Sequence, residues 1–330
     1  MRVLVTGAAG MIGRKLGARL AADGAIAGRQ IKSVHLVDVV APAPPAGAGF
    51  AALCEALDLA APSTAAKLIA ARPDVVFHLA AVVSGEAESD FDKGYAVNLD
   101  ATRRLFEAIR HERDRAGGVY RPRLVYASSI AVFGAPFPET IDDDFLAAPL
   151  TSYGAQKAIA ELLIADYSRR GLFDGIALRL PTVVVRPGPA NRAVSGFFSS
   201  IIREPLSGRE AILPAPEATQ LWCASPRAAV GFFFHAAALD LDRLGPRRSL
   251  TMPGFSTTVG EQIEALRRVG GEAAVRLIRR QSDESSAHIV SGWPGRFDAR
   301  RARAFGFVAE SSFDEIVRIY LEDDHVPAVA

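Results

Sequence analysis

Cysteine is scarce in this sequence, which contains only Cys54 and Cys223. Two isolated thiols form neither a disulfide framework nor the ligand spacing of a metal site, so we expect buried apolar thiols and no bound metal. A long apolar run is absent as well, since no stretch reaches the length of about 18 residues that a transmembrane helix requires. We therefore expect no membrane-spanning segment.

Net charge is nearly absent too. Lysine and arginine together number 38 and aspartate and glutamate 37, which leaves a formal charge of +1 at pH 7. Such a balance gives no electrostatic reason to expect nucleic acid or an anionic membrane as a partner. Met1 leads directly into a strand-like segment, which leaves no room for a signal peptide. We therefore expect a soluble cytoplasmic protein, and its 330 residues suffice for one large domain or two moderate ones.

A glycine-rich turn is the first motif along the chain. It follows an apolar, β-branched segment typical of a buried parallel strand and precedes a helical pattern. Its G-x-x-G-x-x-G spacing lets the backbone turn tightly, approach a pyrophosphate and pack the helix on the strand. The alternative is a glycine-rich turn that binds nothing. The predicted dinucleotide cradle consists of Gly7, Gly10, Met11, Ile12 and Gly13.

A carboxylate ends the second strand pattern, at Asp38. At this place a carboxylate accepts hydrogen bonds from the ribose hydroxyls of an adenosine and repels a 2′-phosphate. The alternative is a solvated aspartate at a strand end. Residues 39–50 contain no Arg or Lys, so the sequence favours NAD over NADP. The spacing from the glycine turn exceeds the usual distance of about 20 residues, which we attribute to a loop at 24–30. Asp58 and Leu59 are predicted to contact the adenine edge.

Leu79 and the small residues Ala80 and Ala81 follow the third buried strand pattern. Small side chains at a strand end allow close approach of the backbone to a cofactor. His78 precedes them, and we interpret it as a structural histidine in preference to a catalytic one. Ser84 lies beyond, at the carboxyl edge of the predicted sheet, where ligands bind.

One long helical pattern covers 94–115 and carries Asn98 on its apolar stripe. That asparagine is either a polar core residue or a group that positions the backbone of the site. The next strand pattern ends in Ser128 and Ser129. Serines in a turn are often helix caps, but the preceding strand–helix alternation favours a place at the same sheet edge.

The strongest catalytic signal is the pair Tyr153 and Lys157 in a helical pattern that we expect Ser152 to cap. Residues four apart lie on one face of a helix. There the ammonium can lower the pKa of the phenol from about 10 toward the working pH, which makes the tyrosine a general base or acid for a substrate hydroxyl. A solvated helix face that carries both side chains is the alternative.

Together these motifs resemble the extended short-chain dehydrogenases/reductases of the NAD-dependent epimerase/dehydratase family. The resemblance implies catalytic roles for Ser129, Tyr153 and Lys157, and contacts of the latter two with the cofactor. The sequence departs from the family pattern at Phe133, where a tyrosine is frequent; the lost hydroxyl weakens a sugar-nucleotide epimerase interpretation. Segments that carry the resemblance are Thr6–Gly13, 78–81, 128–134 and 153–157.

The resemblance also implies an α/β fold, in which a Rossmann-type doubly wound parallel sheet is joined by a smaller C-terminal substrate domain. We predict that residues 1–180 and about 225–252 form the NAD-binding domain. Residues 181–224 and 253–330 then form the substrate-binding domain. Family members commonly pair through the helices matching 94–115 and 152–170, so a homodimer is expected.

Later segments, among them 290–298, are similar to the D-erythronate dehydrogenase branch of that family. This implies a small-molecule sugar acid as partner, D-erythronate, oxidised by NAD at C2 to a 2-oxo acid. An NDP-sugar epimerase or dehydratase and a non-catalytic dinucleotide-sensing module remain alternatives. A buried substrate carboxylate needs a cation, although each candidate arginine also suits an ion pair. Predicted substrate-binding residues are Ser84, Ser129, Tyr153, Thr182, Arg186, Asn191, Arg192, Trp222 and Arg227, and further cofactor contacts are Asn98, Pro181 and Val183.

Overall fold

A computed structural model describes residues 1–188, 194–283 and 292–325. Its residues divide into two compact units. Unit 1 comprises Met1–Val132, Thr151–Arg179 and Val230–Leu250, and unit 2 comprises Phe133–Leu150, Leu180–Ala229 and Thr251–Ala330.

The described secondary structure alternates strands and helices over the first half of the chain. The strands are β1 (Arg2–Thr6), β2 (Ala25–Ile26), β3 (Arg29–Gln30), β4 (Ser33–Asp38), β5 (Ala51–Ala56), β6 (Val75–His78), β7 (Arg123–Ser129), β8 (Asp174–Leu180), β9 (Thr182–Val183), β10 (Ala211–Leu213), β11 (Gln220–Ala224), β12 (Ser249–Thr251), β13 (Phe255–Thr258) and β14 (Ile278–Arg280). The α-helices are α1 (Met11–Asp23), α2 (Thr64–Ala70), α3 (Ser84–Ser89), α4 (Phe91–Gly94), α5 (Ala101–Arg115), α6 (Ser152–Arg169), α7 (Phe197–Leu206), α8 (Pro226–Ala238), α9 (Val259–Gly270), α10 (Glu272–Val275), α11 (Arg300–Ala304) and α12 (Phe313–Asp323).

Within the described ranges a seven-stranded sheet has the order β12-β8-β7-β6-β1-β4-β5. The pairs β1–β4, β1–β6, β4–β5 and β6–β7 are parallel. The chain runs outward from β1 to β5 on one side and to β12 on the other, so the strand order reverses at β1. The predicted Rossmann-type fold is confirmed, and such a reversal is where α/β sheets bind ligands at the carboxyl ends of their strands.

Burial explains why the central strands are continuous apolar runs. Val3–Thr6 and Val75–His78 are fully buried, as expected for parallel strands covered on both faces by helices. Leu105, Phe106 and Ile109 of α5 join the same buried cluster. Their spacing places them on one helix face, which is the stripe that the sequence predicts.

Two local elements differ from the sequence-based expectation. The extra length before Asp38 is a β-hairpin and not a loop, because Ala25 pairs with Gln30 across β2 and β3. The pattern at 94–115 is not one α-helix, since a π-helical segment, Tyr95–Asp100, separates α4 from α5. A π turn inserts an extra residue, which a search for a period of 3.6 residues does not detect.

Unit 2 contains a three-stranded sheet with the order β13-β11-β9, and β10 pairs with β14. Phe198, Ile263 and Val317 lie in its buried cluster and come from α7, α9 and α12. The unit also includes residues 133–150, which the predicted boundaries assign to the first domain. Main-chain bonds explain the difference, because the amide of Ile141 donates to Arg296 at 3.0 Å and its carbonyl accepts from the amide of Asp298 at 2.8 Å.

The structure reports on three absences noted in the sequence. Among the described residues no helix combines the length and apolarity needed to cross a membrane. No group of three or more His, Cys, Asp or Glu side chains in those ranges is arranged to hold a metal ion. Cys223 is buried, whereas Cys54 on the edge strand β5 is only half-buried, and both are free thiols.

Candidate active site

The glycine turn is held by close packing of its own backbone. Gly7 has φ +74°, and a Cβ there would lie 2.6 Å from the amide nitrogen of Ala80. A Cβ at Gly13 would overlap the carbonyl oxygen of Gly7. Gly10 differs, because its Cβ would meet only that same oxygen, at 3.3 Å, among the described residues. The turn is therefore closed on its protein side and accessible at Gly10, which fits a pyrophosphate cradle at the start of α1.

Asp38 lies directly beside this turn. Its two carboxylate oxygens accept from the amides of Ala9 at 2.9 Å and Val39 at 2.7 Å. A carboxylate has about four lone-pair positions, so it retains acceptors for two ribose hydroxyls. The residue before Asp58 donates its amide to the carbonyl of Asp38. The carboxylate of Asp58 accepts from the amide of Ala60 at 2.8 Å. Leu59 is buried in the core, so only its backbone is suited to meet an adenine.

His78 is held between two threonines. The hydroxyl of Thr102 donates to the carbonyl of Asn98 at 2.8 Å, so it accepts from Nε2 of His78 at 2.9 Å. Nδ1 then accepts from the hydroxyl of Thr6 at 2.7 Å. Burial, with the charge of Lys157 as a second cause, lowers the pKa of His78 to about 3. The ring is a neutral structural group that joins β1, β6 and α5.

Asn98 clamps the segment that follows Leu79, Ala80 and Ala81. Its amide accepts from the backbone amide of Val82 at 2.9 Å and donates to the carbonyl of the same residue at 3.2 Å. It also donates to Gln156 of α6 at 2.7 Å. Of the two interpretations left open by the sequence, these bonds favour positioning of the backbone at the sheet edge. Ser84 begins α3 just beyond and is half-buried.

Tyr153 and Lys157 lie on α6 against the end of β7. The helix N-cap is Thr151 and not Ser152, because its side chain accepts from the amide of Gly154 at 3.1 Å. Nζ of Lys157 donates to the carbonyl of Ala127 at 2.8 Å and lies 5.5 Å from the centroid of the Tyr153 ring. Chain order thus brings the predicted tyrosine and lysine to the strand that carries Ser129.

The protonation of this pair differs from the sequence-based expectation. Burial raises the pKa of Tyr153 to about 12, while a hydrogen bond with Ser129 lowers it to a lesser extent. Burial lowers the pKa of Lys157 to about 7, opposed by the charge of Glu161. Desolvation therefore outweighs the lowering of the phenol pKa by the ammonium that the spacing predicts.

A buried ionic group that the sequence analysis missed lies one turn beyond Lys157. Glu161 accepts from the hydroxyl of Ser128 at 2.5 Å. Arg179 of β8 donates to both oxygens of the same carboxylate, the shortest bond being 2.7 Å. A charged residue on the apolar face of a helical pattern was the available signal, since Glu161 follows Lys157 by four positions.

The predicted substrate cations of unit 2 have contrasting surroundings. Arg186 is half-buried, and its guanidinium donates to the hydroxyl of Ser195 at 3.1 Å. Its pKa is lowered by burial and by the nearby charge of Arg203. Arg227 instead bonds to the carboxylates of Asp323 and, at 2.8 Å, Glu322. This favours the ion-pair interpretation for Arg227, whereas Arg186 forms no ion pair with a carboxylate among the described residues.

The other predicted residues of unit 2 belong to its small sheet. Thr182 pairs with Cys223 and Val183 with Ala224, where β9 meets β11. Trp222 is buried and donates to the carbonyl of Met252 at 3.3 Å, so it serves the core. Pro181, which precedes β9, is also buried, and Asn191 and Arg192 lie outside the described residues.

The comparisons with known proteins agree with this geometry. The model of the NAD dependent epimerase/dehydratase family matches residues 3–222. The chain is similar to D-erythronate dehydrogenase of Cupriavidus necator, with 46% identity over 327 residues and 98% of each chain covered. It is also similar to D-erythronate dehydrogenase of Haemophilus influenzae, with 40% identity over 98% of this chain and 100% of that one.

A solved structure is similar over nearly the whole chain. It is described as a nucleoside-diphosphate-sugar epimerase from Agrobacterium tumefaciens and superimposes with a TM-score of 0.95. The identity is 58%, and the match covers 98% of this chain and 94% of that one. The two kinds of name, dehydrogenase and epimerase, describe different reactions on different substrates.

Proposed function

The chain belongs to the NAD dependent epimerase/dehydratase family, and from that premise we propose that it is an NAD-dependent dehydrogenase that oxidises D-erythronate at its C2 hydroxyl to a 2-oxo acid. The observation that carries the proposal is the end-to-end similarity to two D-erythronate dehydrogenases. The arrangement of Ser129, Tyr153 and Lys157 supports it, because an oxidation of this kind needs a proton acceptor beside the alcohol.

The cofactor is held, in this proposal, by the glycine turn, by Asp38 and by the hydroxyl and ammonium groups of Tyr153 and Lys157. When bound, it supplies the acceptor for the hydride. Gly10 leaves room for the pyrophosphate, and the free lone pairs of Asp38 suit the ribose hydroxyls. The clamp of Asn98 on Val82 keeps the backbone after β6 in place for the nicotinamide end.

The proton of the substrate hydroxyl goes to Tyr153. Ser129 already shares a hydrogen bond with the tyrosine, so its hydroxyl is placed to bind the reacting oxygen at the same time. Lys157 stabilises the phenolate form of Tyr153 as long as it is an ammonium group, and burial lowers the pKa of this ammonium to about 7.

A panel of substrates tests the proposal. D-Erythronate with NAD should produce NADH, followed by its absorbance, whereas UDP-glucose should neither react nor protect the protein against thermal unfolding. The alternative of an NDP-sugar epimerase is favoured by the name of the similar Agrobacterium tumefaciens structure. Conversion of UDP-glucose without accumulation of NADH, with every sugar acid inert, would establish that alternative. The intact Ser129, Tyr153 and Lys157 disfavour a cofactor-sensing module without turnover.

The cofactor preference is a separate prediction. The protein should prefer NAD over NADP by more than about tenfold in kcat/KM, because a 2′-phosphate beside Asp38 loses a hydrogen bond and meets a like charge. Asp38→Ala should narrow this ratio, and Asp58→Ala, in the next turn along the sheet edge, should leave it nearly unchanged. Equal use of both cofactors by the unaltered protein would contradict the assignment.

The substrate carboxylate is proposed to bind Arg186. A half-buried guanidinium near a second arginine is costly unless an anion meets it, whereas Arg227 is already neutralised by two carboxylates. Arg186→Ala should raise the KM for D-erythronate by about 10- to 100-fold and leave that for NAD within about twofold. Arg227→Ala is the matched control, with little change expected in either constant. A larger effect at Arg227 than at Arg186 would reverse the assignment.

A homodimer is the expected assembly, formed by an apolar face of unit 1. Leu162 on α6 is 72% exposed, and Phe91 of α4 is 59% exposed. Such side chains gain by covering one another in a second copy. Light scattering at micromolar concentration should give a dimer, and Leu162→Glu should shift it toward the monomer. Val119→Glu, at a valine outside these helices that is 84% exposed, is the control. A wild-type monomer would refute the prediction.

A further inference from the structure

The ammonium group of Lys157 lies in an almost dry environment. The residue is 1% exposed, and Nζ has a single hydrogen-bond acceptor among the described residues, the carbonyl of Ala127. Its ammonium lies 4.7 Å from the centroid of the Tyr126 ring, a favourable contact for a cation. A buried ammonium with one carbonyl and two aromatic rings as neighbours is still short of compensation, because it has given up a full hydration shell.

The nearest anionic compensation on the same helix is Glu161. Residues four apart on a helix are neighbours, with Cβ atoms about 5–6 Å apart. Lys157 bonds to the carbonyl of Ala127, and Glu161 bonds to the hydroxyl of the next residue, Ser128. The two side chains therefore grip consecutive residues of β7 from one face of α6.

Among the described residues, the other groups around Lys157 carry no negative charge that replaces the Glu161 carboxylate. His78 of β6 is neutral, and Tyr126 and Tyr153 keep their protons at neutral pH, since burial raises the pKa of each phenol. Arg179 of β8 is cationic and fixes Glu161 through both carboxylate oxygens. The titratable and charged groups facing Lys157 are thus Tyr153 and Glu161 of α6, Tyr126 of β7, His78 of β6 and, through Glu161, Arg179 of β8.

We propose that Glu161 is a positioning residue for the reaction: fixed by Ser128 and Arg179 one helical turn from Lys157, its carboxylate stabilises the ammonium form of that lysine. Arg179 and Ser128 supply the hydrogen bonds that a buried carboxylate needs. The catalytic lysine is thereby controlled by a group that contacts neither substrate nor cofactor. For turnover this rests on the proposed oxidation, in which an ammonium beside Tyr153 stabilises the phenolate.

A direct titration of Lys157 tests the proposal without any substrate. The chain has five lysines, all within the described ranges, and Lys157 is the buried one. Protein labelled with ¹³C at lysine Cε should therefore give few signals, and the signal lost in Lys157→Met identifies the one that matters. In Glu161→Gln the titration midpoint of this signal should fall by about one pH unit, the usual effect of removing an adjacent opposite charge. The other four signals should not move.

Glu107→Gln is the matched control. Glu107 on α5 is also a carboxylate held by an arginine, Arg110, and a hydroxyl, that of Tyr167, but it has no contact with Lys157. Its loss should leave the Lys157 midpoint unchanged. An unchanged midpoint in folded Glu161→Gln, or an equal shift in Glu107→Gln, overturns the proposal.

Two further measurements keep the test decisive. If Glu161→Gln does not fold by circular dichroism, Glu161→Asp retains the charge but withdraws it from Lys157; a lowered midpoint supports the proposal and an unchanged one overturns it. With D-erythronate and NAD, the maximal rate of Glu161→Gln should fall, because Lys157 loses its ammonium proton at a lower pH. Inertness of wild-type protein toward sugar acids would reject the proposed function, yet the lysine titration would still decide the role of Glu161.

Discussion

Replacing Tyr153 with phenylalanine should lower turnover of D-erythronate by about 10² to 10⁴-fold, the usual contribution of a positioned acid or base. The phenol shares a hydrogen bond with Ser129 and lies beside Lys157, so its removal deletes the proton acceptor and leaves the rest of the site standing. Affinity for NAD should stay nearly unchanged, because the variant removes one hydroxyl contact while the glycine turn, Asp38 and Lys157 still hold the cofactor. Stopped-flow or steady-state NADH absorbance, with a separate NAD titration, measures both effects.

Tyr120→Phe is the control for this variant. Tyr120 lies in the same unit, and its hydroxyl donates to the carbonyl of Pro73 at 3.1 Å, remote from the strand end that carries Ser129. It should retain turnover within about twofold, with at most a small loss of stability for the missing hydrogen bond. Full turnover in Tyr153→Phe would remove the tyrosine from the mechanism.

Replacing Lys157 with methionine should lower turnover by at least about 10²-fold and yet raise the melting temperature at pH 6. Burial lowers the pKa of this lysine from 10.5 to about 7. Below pH 7 the folded protein therefore contains a buried ammonium, whose desolvation destabilises the fold to the full extent. Between pH 7 and 10.5 the unfolded chain binds a proton that the folded chain has released, and wild-type stability rises with pH across that window. Methionine fills a similar volume without a charge and should remove this dependence.

Calorimetry at pH 6, 8 and 10 measures this pH dependence. The gain in melting temperature of Lys157→Met over wild type should shrink as the pH rises. Lys67→Met provides the comparison, because Lys67 is 55% exposed and pairs with Glu55 at the surface. It should change stability little at any of these pH values. A melting temperature for Lys157→Met below that of wild type at pH 6 would show that the lysine stabilises the fold and contradict the argument.

Local patterns in the sequence were enough to predict the fold class, and they also supply the catalytic set that we propose. An apolar strand, a glycine turn and a helical pattern are consecutive in the chain, so the cradle at Gly7–Gly13 is predicted by neighbours alone. Tyr153 and Lys157 are brought together by helix geometry, and Ser129 by the rule that parallel strands end at one edge of a sheet. The resemblance to a family then joined these pieces, and the family and fold are confirmed.

The tertiary structure decided the matters that depend on contacts between distant residues. Whether Arg227 or Arg186 is free for a carboxylate depends on Asp323, which lies 96 positions from Arg227. The protonation of Tyr153 and Lys157 depends on burial, and helical spacing carries no information on burial. The spacing therefore predicts that the ammonium lowers the pKa of the phenol, but not the larger desolvation that raises it.

The sequence by itself determined the fold class, and it predicted which side chains carry the chemistry, because both follow from residue types at short, regular spacings. Only the tertiary structure decided their charge states and supports, such as the hold of Arg179 and Ser128 on Glu161. Those properties arise from long-range packing that excludes water, and the free energy of a charge depends on every group that replaces its hydration.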